Sequence, residues 1–175
     1  MILYHGTTGK RAEKIFKDGK LKCDVERHYT KSKSGSGYTE QGYVYLSNEL
    51  MLSIYFANCC NLEDKSEELV VFKLDVDDSL IEPDYDEMRW QRADERQKIK
   101  YANDLECSLK EYKSCRVKSD IDIKNNNARY LTISAGDPRI GNLTEKAGYN
   151  LHDVQANYNE TQKAFIENAD WKETC

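Results

Sequence analysis

Three short strings in this chain hold residue types able to do chemistry: LYHGTTG at residues 3–9, GYVYLSNELMLSIYFAN at 42–58 and LECSLKEY at 105–112. The first sets one imidazole, His5, beside Gly6, Thr7 and Thr8. The second places Tyr45 and Tyr55 ten residues apart, and the third offers the carboxylates Glu106 and Glu111 with the hydroxyl of Ser108. Groups of these kinds act on organic ligands through hydrogen bonds, ring packing and charge. Metal chemistry is not indicated. None of the six cysteines (Cys23, Cys59, Cys60, Cys107, Cys115, Cys175) forms a CxxC pair, and His5, His28 and His152 are not spaced near cysteines as zinc ligands are. Taken alone, a histidine after an apolar strand is ordinarily a satisfied structural residue, and two tyrosines can simply fill a core. The elements that carry them therefore matter.

Residues 2–4 form a short apolar run that reads as a buried strand ending in a turn at His5-Gly6-Thr7-Thr8. Thr7 or Thr8 can then cap a helix with Ala12, Ile15 and Phe16 at helical spacing and Gly19 as its stop. Tyr43 to Leu46 has strand composition, and Ser47 or Asn48 can cap a following helix that runs to about Asn58 with Leu50, Ile54 and Ala57 as its core stripe. Leu69 to Val76 reads as a strand with Val70, Phe72, Leu74 and Val76 on one face. A charged stretch from about Asp86 to Tyr112 lacks Gly and Pro and is expected to be helical, with Ile99, Ala102, Leu105 and Leu109 as its stripe. Residues 115–119 and 129–133 read as further strands, Ser134 to Pro138 breaks the chain, and a helix is expected near 161–169. The polar, Gly/Ser-rich run from Arg27 to Gly42 is expected to be a surface loop.

The 175 residues suit one domain, and 39% hydrophobic with 33% charged residues suits a soluble globular protein. The opening apolar stretch is too short for a signal peptide or membrane span, so a cytoplasmic monomer with free thiols and no membrane partner is expected. A net charge of -5 speaks against simple electrostatic binding of nucleic acid. Charge is unevenly spread: nine basic residues against four acidic ones lie between Lys10 and Lys33, and eleven acidic residues against Lys65 and Lys73 lie between Glu63 and Glu87.

The first two strings, with a carboxylate wanted ahead of a later strand, resemble ADP-ribosyltransferases of the His-Tyr-Glu class, the diphtheria-toxin and poly-ADP-ribose-polymerase type. The resemblance spans residues 1–133. It implies an α+β fold, a split β-sandwich with flanking helices, with residues 134–175 as an extension of the same domain. It also implies that NAD is the substrate. In that likeness His5 bonds the ribose hydroxyls, Gly6 admits the ligand close to the backbone, and Thr7 supplies the small hydroxyl residue. Tyr45 and Tyr55 hold the nicotinamide ring, with Phe56 as the alternative to Tyr55, and Ser47 joins the NAD-contacting set. The third element, which stabilises oxocarbenium character as nicotinamide leaves, falls on Glu111, with Glu106 and Ser108 as alternatives. In a chain this rich in charge a glutamate near a strand is also expected by chance.

The same resemblance makes the Arg27 to Gly42 run a donor loop over NAD and lets the Glu63 to Glu87 segment face a basic target. It implies transfer of ADP-ribose to a macromolecular acceptor, protein ahead of nucleic acid. Stand-alone enzymes of this size in that class are typical of bacterial toxin systems and phage effectors. Two rivals stay open: an NAD-dependent RNA 2′-phosphotransferase, which needs Arg and His positions not found here, and a catalytically silent binding protein on the same fold.

Overall fold

The strand begun by the apolar run at Ile2 continues further than the expected turn. In the computed structural model, which describes residues 1–25, 39–91, 104–145 and 158–174, β1 runs unbroken over Ile2–Thr8. Helix α1, Gly9–Asp18, starts directly after it, buries Ala12 and stops at Gly19, whose φ of 69° is the left-handed conformation that glycine adopts without a Cβ penalty. Thr8 stands at the N-cap position but makes no cap bond, because its hydroxyl donates to Asp64 at 2.7 Å. A two-residue strand β2, Lys20–Leu21, follows.

Strand β3, Val44–Ser47, leads into α2, Leu50–Asp64. The first half of α2 buries Leu50, Met51, Leu52, Ser53, Ile54 and Ala57, a set that wraps more than one face. One side packs with Leu69, Val71, Leu131 and Ile133, while Leu52 meets Met88 and Tyr112 on another. The chain continues through β4 (Glu68–Asp75), a 3-10 turn (Asp78–Leu80), β5 (Ile81–Pro83) and α3 (Tyr85–Gln91). After α4 (Asp104–Cys107) and a π turn (Ser108–Tyr112) come β6 (Ser114–Val117), β7 (Ile121–Asp122) and β8 (Arg129–Ser134). Helices α5 (Ile140–Leu143) and α6 (Glu160–Glu167) and strand β9 (Lys172–Glu173) end the described chain. The fold is α+β.

Seven strands form one antiparallel sheet in the order β5-β6-β3-β1-β4-β8-β9, and β2 pairs with β7 apart from it. β4 lies inside the sheet and buries both faces, with Val70, Phe72 and Leu74 in one cluster and Leu69 and Val71 in the other. The sheet has one weak seam. β1 pairs with β4 over its whole length but with β3 only through Tyr4 and Ser47, so β5-β6-β3 and β1-β4-β8-β9 are two half-sheets joined at that pair. Among the described residues no helix is long and apolar enough to cross a membrane.

Candidate functional site

The seam decides which peptide groups of β1 have strand partners. In an antiparallel ladder, successive residues turn their N–H and C=O to opposite edges. Val76 N–H donates to Met1 O at 2.9 Å, so the odd residues Leu3, His5 and Thr7 exchange hydrogen bonds with β4, and the even residues Tyr4 and Gly6 turn theirs toward β3. Tyr4 meets Ser47 there. Gly6 lies beyond that pair, where the strands have parted.

Gly6 is glycine for a packing reason. A Cβ at this position would stand 1.8 Å from the backbone oxygen of Ser53, because α2 crosses β1 at this point. The backbone of α2 therefore roofs the gap on one face. His5 bridges the seam from the strand itself: its Nδ1 lies 3.0 Å from Tyr45 O. A carbonyl only accepts, so Nδ1 carries the proton of this bond. Thr7 is buried on the same side of β1 as His5.

Tyr45 points to the α2 side of β3, and its surroundings come from elements that the sequence string did not include. Its hydroxyl donates to Asp86 Oδ2 on α3, with Glu40 O as a second acceptor at 3.0 Å. Asp86 Oδ2 also accepts the Glu40 N–H at 2.9 Å, and its Oδ1 pairs with Arg89. The strand register places Arg116 directly across from Tyr45 and Glu82 across from Arg116. The Arg116 side chain is only 5% exposed; its Nη1 reaches Glu40 Oε2 at 3.0 Å and Asp86 Oδ2 at 3.6 Å, and Nε stands 3.9 Å from Glu82. Its guanidinium stacks 3.8 Å over Tyr43 and 5.2 Å over Tyr85. Burial and the neighbouring Asp86 push the Tyr45 hydroxyl well above its ordinary range, so the phenol stays protonated.

Next to this cluster, Asp84 caps α3 by accepting the N–H groups of Asp86 and Glu87 at 3.1 and 3.0 Å. Burial first, then the negative charge of Glu87, pushes its carboxyl up to about 7. Ser108 locks the cap in place. Fully buried, its hydroxyl accepts the Asp84 N–H at 2.9 Å and donates to Ser114 O at 2.7 Å.

The remaining residues singled out in the sequence fall as follows. Ser47 is buried and ties β3 to the start of β6, donating to Lys113 O at 2.6 Å and accepting the Glu49 N–H at 2.9 Å. Tyr55 and Phe56 pack their rings together at 5.5 Å against the Leu52, Met88 and Tyr112 cluster, which Tyr85 joins to the Arg116 cluster. Glu111 is half-buried in the π turn, three residues ahead of β6, and Glu106 is exposed on α4. At the seam the His5 ring, on the sheet face away from α2, bonds the backbone of Tyr45, whose own side chain stands on the α2 face, and Glu111 lies toward the Ser47 end of the β3–β6 pair. Of the Arg27 to Gly42 run, only residues 39–42 are described, and the rest lies outside the described residues. Several acids of the Glu63 to Glu87 segment are engaged within the chain: Asp64 with Arg11, Asp77 with Ser79, Asp84 and Asp86 as above.

Sequence reasoning missed Glu40, Asp86 and Arg116. A signal for α3 exists in Asp84-x-x-Glu87, an acidic cap three residues before a glutamate. Nothing short of the strand register puts Arg116 opposite Tyr45. Among the described residues no group of His, Cys, Asp and Glu side chains could hold a metal ion.

No family model and no curated protein sequence matches the chain. Among solved structures, the protein named EcPltA aligns over 77% of this chain and 85% of its own, with a TM-score of 0.43 and 12% identity.

Proposed function

We propose that the chain is an ADP-ribosyltransferase of the His-Tyr-Glu type on a split-sandwich fold, cleaving NAD and transferring ADP-ribose to a macromolecular acceptor, protein ahead of nucleic acid. The observation that carries this reading is the seam. Among the described residues β1 and β3 pair at Tyr4–Ser47 alone, and the N–H and C=O of Gly6, beyond that pair, turn toward the β3 edge that His5 bridges through Tyr45 O. A neighbouring donor and acceptor on one backbone edge complement a primary carboxamide such as that of nicotinamide, which replaces the missing strand partner. Tyr45 and Tyr55 are the ring-holding residues of this reading, with Thr7 and Ser47 in the NAD-contacting set.

In the reaction the bond from ribose C1′ to the nicotinamide nitrogen breaks, and its electron pair leaves with nicotinamide. The acceptor's lone pair then closes on C1′ and its proton passes to solvent. Positive charge builds on the ribosyl group midway, and we assign Glu111 to stabilise it. Action as a monomer in the cytoplasm belongs to the same proposal.

A second reading is favoured by one observation: the buried cation opposite Tyr45 is Arg116, and a positive group beside a developing cation opposes the chemistry. On that reading the chain binds through the same seam without turnover. One experiment separates the two. Incubation of the chain with labelled NAD and a cell lysate should release nicotinamide and move label into macromolecules. Binding of NAD with no nicotinamide released under any condition favours the silent protein, and no binding at millimolar NAD overturns both.

A further inference from the structure

We propose that Asp86 is the positioning residue of the Tyr45 ring and makes that ring selective for a cationic partner. The inference rests on the NAD-cleaving reading above and adds a residue from outside all three sequence strings.

A tyrosine that holds a flat ligand must have its own ring plane fixed. Tyr45 sits on a short strand whose neighbour β1 has parted from it, so the strand alone leaves the far end of the side chain undetermined. Asp86 supplies the anchor from a different element. Its carboxylate, 6% exposed, accepts from the Tyr45 hydroxyl and from the Glu40 backbone N–H, and is itself held by Arg89 and faced by Arg116. Glu40 is clamped in turn through its carbonyl to Tyr45 and its carboxylate to Arg116. Of the two cations of the cluster, Arg116 is engaged with Glu40 and the faces of Tyr43 and Tyr85, while the half-exposed Arg89 takes the other carboxylate oxygen of Asp86, Oδ1, and leaves Oδ2 to the Tyr45 hydroxyl and the Glu40 N–H.

The bond also has an electronic consequence. A phenol donating to a buried carboxylate has a more electron-rich ring, and the attraction of an aromatic face for a cation grows with that charge. The nicotinamide ring of NAD is positive before cleavage and neutral after it. Asp86 therefore favours the bound substrate over the released product, and its effect falls on binding more than on the bond-breaking step.

The test compares two probes in the full chain: NAD itself, whose ring is cationic, and benzamide, a neutral ring with the same carboxamide. Asp86→Asn keeps an acceptor for the tyrosine but removes the charge. It should weaken NAD binding on the order of tenfold, the size of a desolvated cation–ring contact, and leave benzamide binding within about twofold. In a nicotinamide-release assay KM should rise with no fall in kcat, because the stabilisation removed belongs mainly to the ground state, and kcat rises to the extent that the ring has lost its charge in the transition state. Tyr45→Phe, which leaves Asp86 in place and threatens the fold less, should give the same selective loss. If either folded variant loses both probes alike, or neither, the charge-selective role of Asp86 is overturned while the NAD reading stands. If the wild-type chain binds neither probe, the NAD reading fails and this inference with it.

Discussion

At the scale of single residues, the seam assigns different jobs to neighbours that look alike in sequence. Gly6 is fixed by a backbone collision, since no side chain fits between β1 and Ser53 O at 1.8 Å. Gly6→Ala must push α2 off the strand and should cost on the order of 3 kcal/mol, seen as a lower denaturant midpoint with an unchanged slope. A wild-type midpoint would mean that the helix yields without strain. His5 and Glu111 divide by role rather than by packing. Glu111→Gln should lower nicotinamide release on the order of 100-fold with NAD affinity nearly unchanged, because the charge it meets exists only as the bond breaks. His5→Ala should weaken binding as well as rate. Ser108→Ala should behave unlike either. Removing its hydroxyl strands the buried Asp84 N–H and Ser114 O, so a stability loss of about 1–3 kcal/mol is expected instead of a catalytic one. Turnover that survives Glu111→Gln intact would remove Glu111 from the mechanism.

Among the elements, α3 has its stability tied to pH through its cap. Its cap, Asp84, has its carboxyl raised from 3.8 to about 7 by burial and by Glu87. A folded-state value above the unfolded one means that the native chain holds this proton more tightly. Its contribution to stability is therefore full at low pH and is lost as pH rises through about 7. Asp84→Asn keeps the cap without the titration. The stability of the wild type relative to Asp84→Asn should fall between about pH 4 and pH 7 and stay level above about pH 8; a level difference throughout would show that Asp84 is ionised across the range. Legibility in the sequence also varies by element. Helix α1 was readable from Ala12, Ile15 and Gly19 because a surface helix shows one apolar stripe and one stop. For β4 only one face was read, since a strand inside the sheet buries both and alternation ceases to mark it. The expected turn at His5 is instead strand through Thr8, because Gly6 serves a helix crossing and not a reversal. β5, β7 and β9 span two or three residues, too few to show any period. Of the expected helix at 86–112, residues 85–91 and 104–112 are helical, and Ile99 and Ala102 lie outside the described residues. The site was legible in part: local strings mark His5, Gly6 and Tyr45, while Asp86, Glu40 and Arg116 meet Tyr45 only after distant segments fold together.

For the whole molecule, the seam asks that each half-sheet hold its shape without much help from the other. The half built on β1, β4 and β8 meets that demand with the end of the described chain. β9 pairs with β8, Phe165 and Trp171 pack on the cluster that holds Leu131 and Ile133, and Trp171 lies 5.9 Å from the ring of Tyr4. Polar ties fix the segment in place: Gln162 Nε2 donates to Leu143 O at 3.0 Å and the Thr174 hydroxyl to Ala128 O at 2.8 Å. Tyr158 closes the link to the other side by donating to Glu49, the residue ahead of α2. Residues 158–174 thus complete the core under the proposed site. A chain truncated after residue 157 should expose the apolar side of β8 and leave that strand as an open edge. With two large aromatic side chains withdrawn from the cluster, the expected loss is on the order of 3 kcal/mol, or roughly 10 °C in Tm for a chain of this size, with aggregation as the visible consequence. Melting and sedimentation of the truncated chain check this directly. A truncated chain that stays monomeric and melts with the full one would show that β1, β4 and β8 hold the site unaided.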